Sequence, residues 1–183
     1  MKIIFLDRDG VINRYPGDNK YVTRWSEFKF LRGVKSALKK LIQNGFKIFI
    51  ISNQAGVSKG IFSQDALNRI TKNMLNEFKK SAIHIEGVFY CVHREEDNCS
   101  CRKPKIGLLE KAVKSLGINK IDKKDCFFIG DTLRDVQTGK AFGCRTVLVF
   151  SGKEKLANRD KWKIRPDFTA TDLCEATHII LKR

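Results

Sequence analysis

The chain has 183 residues, enough for one domain of ordinary size and too few for two. A hydrophobic fraction of 42% with 13 phenylalanines excludes a disordered polar chain, and no apolar run approaches the roughly 18 residues of a membrane span. Thirty-six Lys and Arg against 20 Asp and Glu give a formal charge of +16, which favours anionic partners; the basic residues are scattered rather than clustered, so a dedicated nucleic-acid groove is the weaker expectation.

Residues 3–6 read as a buried strand, too short for the apolar core of a secretion signal and ended by an acid, so a cytoplasmic protein is expected. Val34, Ala37, Leu38, Leu41 and Ile42 recur at helical spacing and stop at Gly45. A second strand over 47–51 leads to a helix carrying Leu67, Ile70, Met74, Leu75 and Phe78 behind a Ser63 cap. A third strand over 87–91 is followed by a helix with Leu108, Leu109, Ala112, Val113 and Leu116, closed by Gly117. A fourth strand over 126–129, a helix from about 133 to 142 stopped by Gly143, and a fifth strand over 146–150 complete the pattern. Beyond Pro166 a short strand near Phe168 and a helix over 172–181 fit, although 177–181 also has strand character. Alternating strands and helices predict an α/β fold: a doubly wound, mostly parallel sheet flanked by helices, in a single domain over 1–183. In such folds reactive groups gather beyond the carboxyl ends of the strands.

The first strand runs into Asp7-Arg8-Asp9-Gly10, two carboxylates two residues apart with a glycine behind them to turn the chain. One carboxylate can attack phosphorus while the other protonates the leaving oxygen and then activates water. Alone, the motif equally suits a polar turn. The second strand leads to Ser52-Asn53-Gln54-Ala55-Gly56, whose hydroxyl and amides can hold phosphoryl oxygens. Lys103, in Arg102-Lys103-Pro104 before the third helix, can neutralise phosphate charge. The fourth strand ends in Gly130-Asp131-Thr132-Leu133-Arg134-Asp135, where Asp131 offers a hard oxygen ligand for Mg²⁺ and Asp135 follows one helical turn on to steady it; helix N-terminal acids are the plainer reading.

Together and in this order, the four segments resemble the signature of the haloacid dehalogenase superfamily of phosphotransferases: D-x-D-G, then Ser or Thr, then Lys, then G-D-x-x-x-D. The resemblance covers roughly residues 1 to 150. It implies Asp7 as nucleophile and Mg²⁺ ligand, and Asp9 as general acid/base whose backbone carbonyl also reaches the metal. It further implies that Ser52 and Lys103 hold the transferring phosphoryl group and that Asp131 supplies the second carboxylate ligand. No large insertion separates the motifs, so no separate cap domain is expected, and specificity falls to the loops 14–25, 55–62 and 91–101.

Cys91, His93, Cys99 and Cys101 fall within eleven residues, a plausible closed tetrahedral site for structural Zn²⁺. The remaining thiols, Cys126, Cys144 and Cys174, lie in apolar contexts and read as core residues. A zinc loop ending just before Arg102 would fix Lys103 and bring Arg102 to the substrate entrance. This arrangement is similar to the zinc-bearing branch of the superfamily that holds the D-glycero-D-manno-heptose-1,7-bisphosphate 7-phosphatases and the histidinol-phosphatases. The segments N-Q-A-G-V-S-K-G-I-F and F-Y-C-V-H resemble the heptose group, whereas the short zinc loop occurs in both groups and Thr132 stands where heptose enzymes often carry Lys. The resemblance implies a phosphatase acting on a small phosphorylated metabolite, a sugar bisphosphate ahead of histidinol phosphate, with Asn53, Gln54 and Arg102 as substrate contacts; a monomer is expected, although the sequence does not itself give the oligomeric state. A zinc-bearing nucleic-acid-binding or end-processing protein is the alternative from another class, motivated by the charge.

Overall fold

Residues 1–117 and 121–182 are described by the structure, a computed structural model. The apolar runs become parallel strands β1 (Lys2–Leu6), β2 (Phe46–Asn53), β3 (Gly87–Cys91), β4 (Cys126–Gly130), β5 (Arg145–Val149) and β6 (Phe168–Ala170). They form one sheet in the order β3-β2-β1-β4-β5-β6, with every pairing parallel. The helices are α1 (Val34–Gln43), α2 (Gln64–Lys80), α3 (Gly107–Lys114), α4 (Leu133–Phe142) and α5 (Leu173–Leu181).

Both faces of the central strands are covered, which is why their sequences are almost continuously apolar instead of alternating. Side chains still point alternately to either face. Ile4, Leu6, Ile48, Ile50, Phe127 and Ile129 pack with α1, α2 and α5, while Ile3, Phe5, Phe49, Ile51 and Phe128 pack with α3 and α4. Phe5 stacks at 5.9 Å on Phe49 and meets the edge of Phe142 at 5.7 Å, fastening β1, β2 and α4 together.

The tail that the sequence leaves open between strand and helix is settled by its cap: Asp172 Oδ1 accepts from Glu175 N at 3.0 Å, and 177–181 continues as helix. β2 runs past Ile51 because Ser52 and Asn53 still pair with Tyr90 and Cys91 of β3, so both lie on the strand's last residues. Phe150 lies beyond β5 although its N–H still bonds Ala170 O at 3.0 Å. Cys126 and Cys144 are buried, but Cys174, expected in the core, is exposed, because the buried stripe of α5 runs through Leu173, Ala176, Thr177 and Ile180. Among the described residues no helix is long and apolar enough to cross a membrane.

From β1 the chain crosses to β2 and β3 on one side and then to β4, β5 and β6 on the other. That reversal opens a crevice at the carboxyl ends of β1, β2 and β4, where the polar motifs emerge.

Candidate active site

Asp7 is the first residue beyond β1 and is held by three contacts. Its own N–H bonds Ile129 O at 3.0 Å, while its Oδ1 accepts Arg8 N at 2.7 Å and its Oδ2 lies 3.1 Å from Lys103 Nζ. Burial pushes the Asp7 carboxyl up to about 6, against the pull of the Lys103 ammonium. Gly10 makes the turn behind it at φ +84°, and a Cβ there would come within 2.2 Å of Asp131 Oδ2, so only glycine fits.

Asp9 is gripped from three directions. Arg8, fully buried, donates to Asp9 Oδ2 at 2.8 Å and lies 5.7 Å from the Tyr90 ring centroid. Asn13 Nδ2 reaches Asp9 Oδ1 at 2.7 Å, and Gln54 Nε2 reaches Oδ2 at 2.8 Å. The carboxyl is thereby aimed into the cleft.

Lys103 crosses from the loop before α3 to the sheet edge. Its Nζ donates to Ile51 O at 3.2 Å and to Asp135 Oδ1 at 2.6 Å. Burial disfavours the ammonium, but the carboxylates of Asp135 and Asp7 outweigh it and hold its pKa above the usual value. Asp135 also accepts from Thr132 N and Oγ1, at 3.1 and 2.6 Å, closing the N-terminus of α4. It therefore steadies Lys103 and the helix end. Asp131 Oδ2 accepts Lys153 N at 2.7 Å from the loop after β5. Burial, then the charges of Asp7 and Asp135, lift the Asp131 carboxyl well above its usual range.

Asp7, Asp131 and Asp135 bring carboxylate oxygens within 4.8 Å of one another. With the single Lys103 ammonium among them this is a net charge of about −2 in a buried setting, which a hard divalent cation would relieve. The residues fit Mg²⁺. Asp135 is committed to Lys103 and Thr132, so Asp7 and Asp131 are the carboxylates that could serve such a cation.

Cys91, His93, Cys99 and Cys101 also offer ligand atoms within 4.8 Å of one another. The Sγ separations are 3.6, 3.3 and 3.4 Å, and His93 Nδ1 lies 3.6 and 3.3 Å from Cys91 and Cys101. Thiolates at a Zn–S distance of about 2.3 Å in a tetrahedron stand about 3.8 Å apart, so a zinc ion fits with a few tenths of an ångström of expansion. Burial, then the bond to Cys101, pushes the Cys91 thiol up to about 12, so a thiolate there needs a cation beside it.

The crevice encloses about 160 Å³ and is lined by Asp7, Asp9, Ser52, Asn53, Lys103, Asp131, Thr132 and Arg134, roofed by Tyr15, Pro16, Lys20 and Tyr21. The four roof residues also border a hollow of about 570 Å³ formed by Arg14 to Thr23 with Ile61. Asn53 lines the cleft, yet its side chain also bonds Lys103 O at 3.2 Å and accepts Lys103 N at 3.1 Å, joining β2 to the lysine loop. Gln54, read from the sequence as a substrate contact, is 1% exposed and spends its amide on Asp9 and Ser52. Arg102, read from the sequence as a substrate contact, lines a neighbouring hollow with Glu95 and Lys103 instead of the crevice itself, with its Nη1 on His93 O at 3.2 Å.

Four participants carry no signal in the sequence reading. Arg8 and Asn13 position Asp9, and the burial of Arg8 that commits it to this role shows only in the structure. Ser151 and Gly152 close over the site from beyond β5: Ser151 Oγ donates to Gly10 O at 2.6 Å, and a Cβ on Gly152 would meet Asp131 Oδ2 at 2.0 Å.

Comparison with known proteins follows the same lines. Residues 100–176 match the model of the HAD-hydrolase-like family. The chain is 34% identical over 168 residues, 87% of its length and 89% of the relative's, to a D-glycero-beta-D-manno-heptose-1,7-bisphosphate 7-phosphatase from Haemophilus ducreyi. It is 36% identical over 154 residues, 84% and 85% of the two chains, to a D-glycero-alpha-D-manno-heptose-1,7-bisphosphate 7-phosphatase from Campylobacter jejuni. The crystal structure of a D,D-heptose 1,7-bisphosphate phosphatase from B. bronchiseptica, complexed with magnesium and phosphate, superposes with a TM-score of 0.89 at 28% identity, covering 100% of this chain and 99% of that one.

Proposed function

This chain belongs to the heptose-1,7-bisphosphate 7-phosphatase family of HAD-like hydrolases, and we propose that its own substrate is D-glycero-D-manno-heptose 1,7-bisphosphate, from which it removes the C7 phosphate. The observation that carries this reading is the buried cluster of Asp7, Lys103 and Asp131 at the carboxyl edge of the sheet, with Asp9 clamped beside it. It supports phosphoryl transfer in two displacements.

In the first, an Asp7 carboxylate oxygen bonds to phosphorus, the ester P–O bond breaks, and Asp9 gives its proton to the departing sugar oxygen. In the second, water attacks the aspartyl-phosphate, its proton passes to Asp9, the P–O bond to Asp7 breaks, and inorganic phosphate leaves. Lys103 and Ser52 hold the phosphoryl oxygens. Asp7, Asp131 and the Asp9 carbonyl would hold Mg²⁺, which would supply charge neutralisation at the phosphoryl group. Lys103 and Asp9 being held in place by buried partners, they need little rearrangement as charge develops. Zn²⁺ on Cys91, His93, Cys99 and Cys101 closes the loop that presents Arg102 and Lys103. We carry the monomeric state and the sugar bisphosphate's second phosphate at Arg102 with the same reading.

Turnover of the heptose bisphosphate and of histidinol phosphate, measured side by side with Mg²⁺, tests the substrate: faster release from the bisphosphate is expected, and preference for histidinol phosphate would overturn it. Asp7→Asn is expected to abolish turnover, and full activity in that variant would remove Asp7 from the chemistry. Light scattering on the purified protein reads the oligomeric state directly.

A further inference from the structure

Arg134 lines the cleft and Arg102 lines the neighbouring hollow on the far side of Lys103, and the two converge on one oxygen. Arg102 Nη2 lies 3.9 Å and Arg134 Nη2 3.6 Å from Oε2 of Glu95. Both distances are too long for hydrogen bonds, so charge alone holds the carboxylate there. Glu95 is itself 74% exposed, on the loop of the Cys/His cluster, so its departure removes little. Arg102 is the better anchored of the two guanidiniums, while Arg134 is 40% exposed. Arg102 is 16% exposed and fastened to His93 O, and its Nε is buried with no hydrogen-bond partner among the described residues. Arg134 projects from the first turn of α4 and lines the cleft beside Asp131 and Thr132. Thr132 is not available to a ligand in the same way, since its hydroxyl is given to Asp135 at 2.6 Å.

We propose that Arg102 and Arg134 form a two-arginine site for the substrate's second phosphate, and that Glu95 is the anion resident there until that phosphate displaces it. This rests on the reading of the substrate as a sugar bisphosphate. A phosphate dianion offers each guanidinium a pair of oxygens at hydrogen-bonding distance, where a single carboxylate oxygen at 3.6 and 3.9 Å offers neither. The exchange therefore gains contacts for a bisphosphate and nothing for a monoester, whose only phosphate goes to Asp7. Other charges of the loop are engaged elsewhere: Arg94 bonds Ser58 O at 2.8 Å, Asp97 accepts Arg94 N at 2.7 Å, and Lys105 bonds Asn98 O at 2.8 Å. Glu95 thus acts as a competitor that tempers the affinity for the bisphosphate, and Arg134 as a specificity residue.

The test is the ratio of KM for heptose 7-phosphate to KM for heptose 1,7-bisphosphate, measured for the wild type, Arg134→Gln and Glu95→Gln. The wild type is expected to favour the bisphosphate; Arg134→Gln lowers the ratio about tenfold, and Glu95→Gln raises it about threefold, because the competing charge is gone. If the wild type favours the bisphosphate and Arg134→Gln keeps the same ratio, the two-arginine site is wrong while the substrate reading stands. If Glu95→Gln lowers the ratio, Glu95 is a support and not a competitor, and the displacement is overturned. A wild type without preference would overturn both the substrate reading and the site built on it.

Discussion

Lys103 Nζ lies 2.6 Å from Asp135 Oδ1 and 3.1 Å from Asp7 Oδ2, so the ammonium stands between a carboxylate that fixes it and one beside the reacting phosphoryl group. Both Lys103 and Asp135 are nearly inaccessible, at 3% and 1% exposed. Neutralising Asp135 leaves the buried ammonium with Asp7 alone, at a cost below the roughly 3–5 kcal/mol of a fully unmatched buried charge. Asp135→Asn keeps the shape and the cap on Thr132 while releasing Lys103. The variant is expected to unfold at lower urea concentration and to lose about 10²-fold in kcat through misplacement of the lysine. Unfolding curves and steady-state kinetics check it; an Asp135→Asn protein with wild-type kcat would show that Lys103 needs no such anchor.

Gln54 offers a test of positioning against contact. Its amide nitrogen bonds Asp9 Oδ2 at 2.8 Å and its side chain is buried, so Gln54→Ala should let Asp9 turn while leaving the cleft lining intact. A loss of about tenfold in kcat with KM within about twofold is expected, because the defect falls on the proton-transfer geometry. The opposite split, a raised KM at unchanged kcat, would make Gln54 the substrate contact that its sequence position suggests.

The fold was legible because its strands are buried on both faces and spell near-continuous Ile, Val and Phe, and because Gly45, Gly117 and Gly143 punctuate the helices. β6 and α5 were harder, since a three-residue strand and a nine-residue helix rich in Ile, Thr and Leu carry little periodicity. Motif acids and Lys103 were legible for a different reason: strand exits are where parallel sheets bring distant residues together. What the sequence hid is the pairing across those exits. Asp135 looked like a neighbour of Asp131 and turned out to face Lys103, thirty-two residues away in sequence. Gln54 sat in a loop motif suited to ligand contact, yet β2 continues far enough to turn it inward to Asp9. Arg134 gave no signal because a lone arginine in a chain with 36 basic residues has none until its position beside the cleft is known.

The Cys/His cluster predicts a metal content that can be counted. Protein purified without chelator should carry about one zinc per chain, read by elemental mass spectrometry, since all four ligands are in place and the site has no open position. Cys99→Ser should lose the metal. The half-exposed loop would then hold Lys103 less firmly, with a loss of roughly 2–3 kcal/mol, or about 5–10 °C in Tm, and a fall in activity. Zinc-free wild-type protein with unchanged Tm and turnover would separate the cluster from both stability and catalysis.

Mg²⁺ should stabilise the protein in a pH-dependent way, and the direction follows from the carboxyls it meets. Burial raises Asp7 from its ordinary value of 3.8 to about 6 and lifts Asp131 well above its ordinary value too. An acid whose folded pKa is raised favours folding only while protonated. Its contribution is complete below the unfolded pKa and is lost as pH rises through the folded value, so the metal-free protein should weaken between about pH 4 and pH 6 on account of Asp7. A divalent cation reverses this, because it binds the ionised pair and must displace protons at lower pH. The Tm gain on adding Mg²⁺ should therefore be larger at pH 7.5 than at pH 5, with Asp131→Asn flattening the difference. Differential scanning fluorimetry at the two pH values, with and without Mg²⁺, reads it. An equal gain at both pH values would mean that the cation binds somewhere other than Asp7 and Asp131.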